Sequence, residues 1–97
     1  MPDQVKILII DDELIMRDGC ARILSQVGWT VITAENGHQG LDVIRRYPEE
    51  IDVVLLDLMM PGMSGMEILE RIREIDANLL VIVITGYLFI FNFLHFL

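Results

Sequence analysis

One cysteine, one lysine and three prolines are all that these 97 residues hold of those types, and cations are outnumbered by acids, 7 to 15. The single thiol, Cys20, forms no internal disulfide, and a chain with neither a disulfide framework nor an export signal is expected in the cytoplasm. The opening MPDQVKILII has no basic segment and only a short apolar run before Asp11, unlike a signal peptide. A formal net charge of −8 and a pI near 4.4 argue against direct binding of nucleic acid or an anionic membrane, since both need a basic surface. Partners are expected to be basic, or to be engaged through a cation.

What the chain does have is short apolar runs separated by stretches of helical spacing. VKILII, from Val5 to Ile10, reads as a buried parallel strand that ends abruptly in acids. Met16, Cys20, Ile23, Leu24 and Val27 then recur at helical spacing, and Gly28 follows as the residue that ends the helix. TVITA, from Thr30 to Ala34, is a second strand, and Asn36 with Gln39 resembles a capping box opening a second helix, which carries Leu41 and Ile44 inward and stops before Pro48. VVLL, from Val53, is a third strand ending at Asp57. Ser64 and Glu67 cap a third helix bearing Ile68, Ile72 and Ile75, and LLVIVI, from Leu79 to Ile84, is a fourth strand. The spacing predicts an α/β fold, β-α-β-α-β-α-β, with right-handed crossovers and a doubly wound parallel sheet.

Asp11 and Asp12 follow the first strand and Asp57 follows the third, so all three lie at carboxyl ends of parallel strands. If the second strand flanks the first on one side and the third flanks it on the other, chain order reverses between strands one and three, and ligands bind at such a switch point. Carboxylates that close repel: a unit pair at about 4 Å costs roughly 4 kcal/mol at an effective dielectric of about 20. A small hard cation relieves this, and Mg²⁺ suits because it accepts one or two carboxylates and leaves room for a phosphoryl group. With the cation present, one carboxylate can attack a phosphoryl donor and form an acyl phosphate. Asp57, alone at the end of its strand, is the expected nucleophile, with Asp11 and Asp12 as metal holders. Thr85 closes the fourth strand, where its hydroxyl is within reach of a phosphoryl group on Asp57. The methionines of LMMPGMSG are read as packing, because Mg²⁺ avoids thioether.

The segments ILIIDDE (7–13), AENGHQGL (34–41), DVVLLDLMMPGMSGMEIL (52–69) and VIVITGY (81–87) resemble the receiver domain of two-component response regulators. The resemblance implies a flavodoxin-like sheet in the order 2-1-3-4-5 and transfer of a phosphoryl group from a histidine kinase or phosphotransfer domain onto Asp57. It implies Mg²⁺ held by Asp12, Asp57 and the backbone carbonyl of Met59, with Asp11 acting through a bound water, and Thr85 as the hydroxyl that moves toward the phosphoryl group. It implies no enzyme in the metabolic sense, only slow gain and loss of phosphate at Asp57.

The resemblance runs to Tyr87. Residues 1–87 are thus expected to form a partial receiver domain of four strands, ordered 2-1-3-4, and three helices, with 88–97 as an apolar tail. The fifth-strand lysine of the family has no counterpart, because the only lysine is Lys6, at the opening end of the first strand. TGYLFIFNFLHFL, residues 85–97, holds all four phenylalanines and no charge, and its expected origin is a reading frame truncated or shifted after Tyr87. The tail has too few residues for a parallel crossover, which leaves an antiparallel edge strand or a short helix. Leu79 to Leu97 has the length of a membrane span, but its first half is already claimed by the fourth strand, so a membrane role is not expected. A bare fourth-strand edge beside an apolar tail is expected to promote self-association. Two other functions compete: a receiver remnant that serves only as an interaction module or is a non-functional fragment, and a phosphohydrolase of the haloacid dehalogenase type. The second is weakened by Met59, which stands where such enzymes carry another aspartate.

Overall fold

The computed structural model describes residues 4–84 and, as backbone, 90–93. In chain order the elements are β1 (Lys6–Ile10), α1 (Leu14–Gln26), β2 (Thr30–Ala34), α2 (Gly37–Arg46), β3 (Val53–Asp57), α3 (Gly65–Ile75), β4 (Leu80–Ile84) and β5 (Ile90–Phe93). The sheet order is β2-β1-β3-β4-β5. The first four strands run parallel, as the β-α-β spacing requires.

β5 lies antiparallel on the outer edge of β4, with Ile84 opposite Ile90 and Val81 opposite Phe93. Of the two forms open to the tail, the strand is the one adopted over 90–93. This corrects the expectation of a bare β4 edge: the outer edge on that side belongs to β5. The direction follows from chain length, since five residues separate β4 from β5 and a reversal is the only pairing so short a link allows.

Strands β1, β3 and β4 alternate side chains between two cores, because both faces of the sheet carry helices. On one face Leu8, Ile10, Val54, Leu56, Val81 and Val83 meet Leu41, Ile44, Ile68, Leu69 and Ile72 from α2 and α3. On the other, Ile7, Ile9 and Val53 are packed by Cys20, Ala21, Leu24 and Trp29. Burial and the nearby Asp11 charge push the Cys20 thiol up, in keeping with an inert core cysteine. The inward stripe expected of α1 is only partly realised. Cys20 and Leu24 face the sheet and Met16 is exposed beside its carboxyl edge, whereas Ile23 (62% exposed) and Val27 (64% exposed) lie on a flank that it does not reach. The helix is apolar around more of its circumference than one sheet face can cover.

Local signals set the helix ends. Gly28 has φ +96 just past the α1 cap, a conformation that costs glycine little. The Asn36 side chain accepts from the Gln39 N–H at 2.9 Å, and the Gln39 side chain reaches back to the Glu35 N–H, one residue earlier than a strict capping box. Ser64 accepts from the Glu67 N–H at 3.1 Å. α3 also starts hard against the chain that leaves β3. A Cβ on Gly65 would sit 2.8 Å from Leu58 Cα, so only glycine permits this approach.

Candidate metal centre

The register fixes the site before any side chain is considered. Ile10 pairs with Leu56 across β1 and β3, so the residues that follow, Asp11 and Asp57, stand abreast at the carboxyl edge. β1 is also paired with β2, which lies on its other side, and the edge between β1 and β3 is where chain order reverses. One carboxylate oxygen from each of Asp11, Asp12 and Asp57 lies within 4.8 Å of the others. The structure therefore brings together the three acids picked out by sequence.

Asp11 is 6% exposed, Asp57 is half-buried and Asp12 is exposed. Burial raises the Asp11 carboxyl most, the Glu13 N–H lowers it, and the charges of Asp57 and Asp12 raise it further, leaving it at about 6 against an ordinary 3.8. The Glu13 N–H donates to Asp11 Oδ1 at 2.9 Å, and the Met59 N–H donates to Asp57 Oδ1 at 2.9 Å. Each strand-end carboxylate is thus oriented by the amide two residues on. Asp12, Glu13, Asp57 and Met59 line an open depression of about 390 Å³, and a smaller one of about 90 Å³ beside it is lined by Asp11, Glu13, Met16, Asp57 and Ile84.

The donor set is all oxygen, carries three acids and adjoins an open depression, which fits a hard divalent ion that keeps part of its water shell. The raised Asp11 carboxyl owes most to burial, and the smaller share that comes from the charges of Asp57 and Asp12 is a crowding that a proton or a cation would relieve. Met59 borders this depression through an exposed side chain. Thr85 lies outside the described residues; β4 ends at Ile84, which pairs with Asp57. Lys6 lies at the far end of β1, its Nζ 3.3 Å from Glu50 Oε1.

Two residues of the site were not singled out by sequence. Glu13 supplies the amide that orients Asp11 and borders both depressions. Arg17 is buried and donates from Nη1 to the Asp11 carbonyl oxygen at 2.9 Å. Its signal was an arginine on the same face of α1 as Cys20, Ala21 and Leu24.

The family model of the response regulator receiver domain matches residues 7–95. Sporulation initiation phosphotransferase F of Bacillus subtilis is 43% identical over 82 residues, which are 84% of this chain and 64% of that protein. Among solved structures, a receiver domain protein from Clostridium thermocellum is 38% identical with a TM-score of 0.78, covering 81% of this chain and 63% of that one. The response regulator TrrA of Thermotoga maritima, crystallised in complex with Mg²⁺-BeF, is 34% identical with a TM-score of 0.79, covering 87% of this chain and 71% of that one. The chain spans less than two thirds of the length of the curated relatives it matches. From the sheet order, the converging acids and these likenesses together, the chain belongs to the response regulator receiver domain family.

Proposed function

We propose that this chain is a phosphoacceptor of a two-component phosphorelay, taking a phosphoryl group from a histidine kinase or phosphotransfer domain onto Asp57. The observation that carries the reading is the convergence of three carboxylate oxygens within 4.8 Å at the sheet's switch point. Asp57 is oriented by the Met59 N–H and faces open solvent through the depression, so a donor can approach it. Its carboxylate oxygen forms the new bond to phosphorus as the bond from phosphorus to the donor histidine nitrogen breaks, and the leaving imidazole takes up a proton. Asp11, Asp12 and Asp57, with the Met59 carbonyl, would hold Mg²⁺. When bound, Mg²⁺ offsets the negative charge that would otherwise repel the phosphoryl oxygens from the acids. Support comes also from TrrA, a relative whose structure carries Mg²⁺-BeF.

Thr85 is proposed as the hydroxyl that meets the phosphoryl group. The cytoplasm is proposed as the compartment; among the described residues no helix is long and apolar enough to cross a membrane. Self-association, if it uses the sheet, is proposed at the outer edge of β5, and elution at monomer mass in gel filtration would remove it. Any turnover is slow loss of phosphate from Asp57. The reading as a binding module that accepts no phosphate has less support, because nothing in such a role requires three acids to converge.

The test is incubation with a small acyl-phosphate donor and Mg²⁺. One phosphoryl group is expected, labile to hydroxylamine, absent without Mg²⁺ and absent in Asp57→Asn. Wild-type protein that stays unmodified while folded and Mg²⁺-bound would overturn the reading.

A further inference from the structure

Arg17 and Asp11 are the two buried charged side chains among the described residues, and Arg17 is only 9% exposed. A guanidinium removed from water is costly unless its donors are satisfied. No buried side-chain nitrogen or oxygen among the described residues lacks a partner, and the partner of Arg17 is a backbone carbonyl rather than an acid. Packing alone does not call for an arginine here, since a methionine would fill the same place beside Cys20, Ala21 and Leu24 without burying charge.

The bond itself singles out one peptide group. The Asp11 N–H donates to the Ala34 carbonyl at 3.1 Å, and Asp11 Oδ1 accepts from Glu13. Arg17 takes the remaining group, the carbonyl of the peptide joining Asp11 to Asp12. Asp12 is exposed, and its carboxylate has no hydrogen-bond partner among the described residues. The direction of that carboxylate is therefore inherited from the backbone that Arg17 holds.

We propose that Arg17 is a positioning residue for the metal site, fixing the Asp11–Asp12 peptide so that Asp12 points into the depression it shares with Asp57. This rests on the reading of the three acids as a Mg²⁺ site. Mg²⁺ demands near-ideal octahedral geometry whereas Ca²⁺ accepts irregular sites, so loosening one carboxylate weakens Mg²⁺ more than Ca²⁺. Groups that orient metal ligands typically govern affinity by about 10–100-fold.

The experiment is calorimetric titration of the wild type, Arg17→Met and Arg17→Lys with Mg²⁺ and separately with Ca²⁺, on protein shown to be folded by urea titration without metal. Arg17→Met is expected to weaken Mg²⁺ binding about tenfold and to lower the Mg²⁺-to-Ca²⁺ affinity ratio, with Arg17→Lys closer to the wild type because it keeps a donor. If Arg17→Met does not fold, Arg17→Gln, whose shorter amide cannot reach the carbonyl, takes its place with the same expectation. A folded Met or Gln variant with unchanged Mg²⁺ affinity, or with both ions weakened equally, overturns the positioning role. A wild type that binds no Mg²⁺ overturns the metal-site reading instead, so the two failures are distinguishable.

Discussion

Asp11 carries the largest consequence of any one residue, because its carboxyl is held at about 6. In the metal-free protein the folded state keeps a proton that the unfolded chain has released, across the interval between 3.8 and about 6. This contribution to stability is therefore complete at acid pH and is lost as pH rises through about 6. A cation at the same place competes with that proton. Mg²⁺ affinity is expected to increase with pH up to about 6 and to level off above it, with proton release on binding below that point, measurable by titration in buffers of differing ionisation enthalpy. A flat profile between pH 5 and pH 7 would disconnect Asp11 from the metal. The acids were readable in sequence because Asp11 and Asp57 directly follow apolar runs and Asp12 comes next to Asp11, and a strand's end is a place that topology fixes. Arg17 was not, since its role depends on which carbonyl lies within 2.9 Å, and spacing along a helix does not show that.

Among the elements, α3 and the segment leading into it hold the position of Met59. Gly65 lets the helix begin where a side chain would collide with the backbone of Leu58. Gly65→Ala is expected to lower stability by about 1–3 kcal/mol, through overpacking that no rotamer change relieves. It should also weaken Mg²⁺ binding, because the displaced segment carries the Met59 amide and carbonyl. Urea midpoints and metal titrations on the same samples check both parts, and a variant as stable as its parent would show that the segment yields freely. Caps and strand cores were legible here: Asn36, Ser64 and Gly28 sit at helix ends as their chemistry requires. The packing of α1 was less so. Periodicity finds apolar positions, but it does not tell how wide a face the neighbouring sheet offers, and Ile23 and Val27 fell outside it.

For the whole molecule, the parallel direction of the first four strands followed from spacing and their order from the family resemblance, while the choice of strand over helix for 90–93 did not, because its composition suits both. β4 is the element that distinguishes the outcomes. It is paired on one side with β3 and on the other with β5, so amides along 81–84 that alternate between the two neighbours are all bonded. Hydrogen exchange is expected to be slow at consecutive β4 amides, and fast exchange at every second one would mean that β5 leaves its place.

The hydrocarbon of this sheet fills the ladder up to its last rung, where Asp57 stands opposite Ile84, and Asp11 and Asp12 lie just past the end of β1, so what makes the chain collapse and what gathers the acids occupy separate zones along one axis. A consequence is that the chemistry can be erased without damage to the scaffold. Replacing all three acids by asparagine relieves their crowding, and without any divalent ion that triple variant should melt at a higher temperature than its parent while accepting no phosphate.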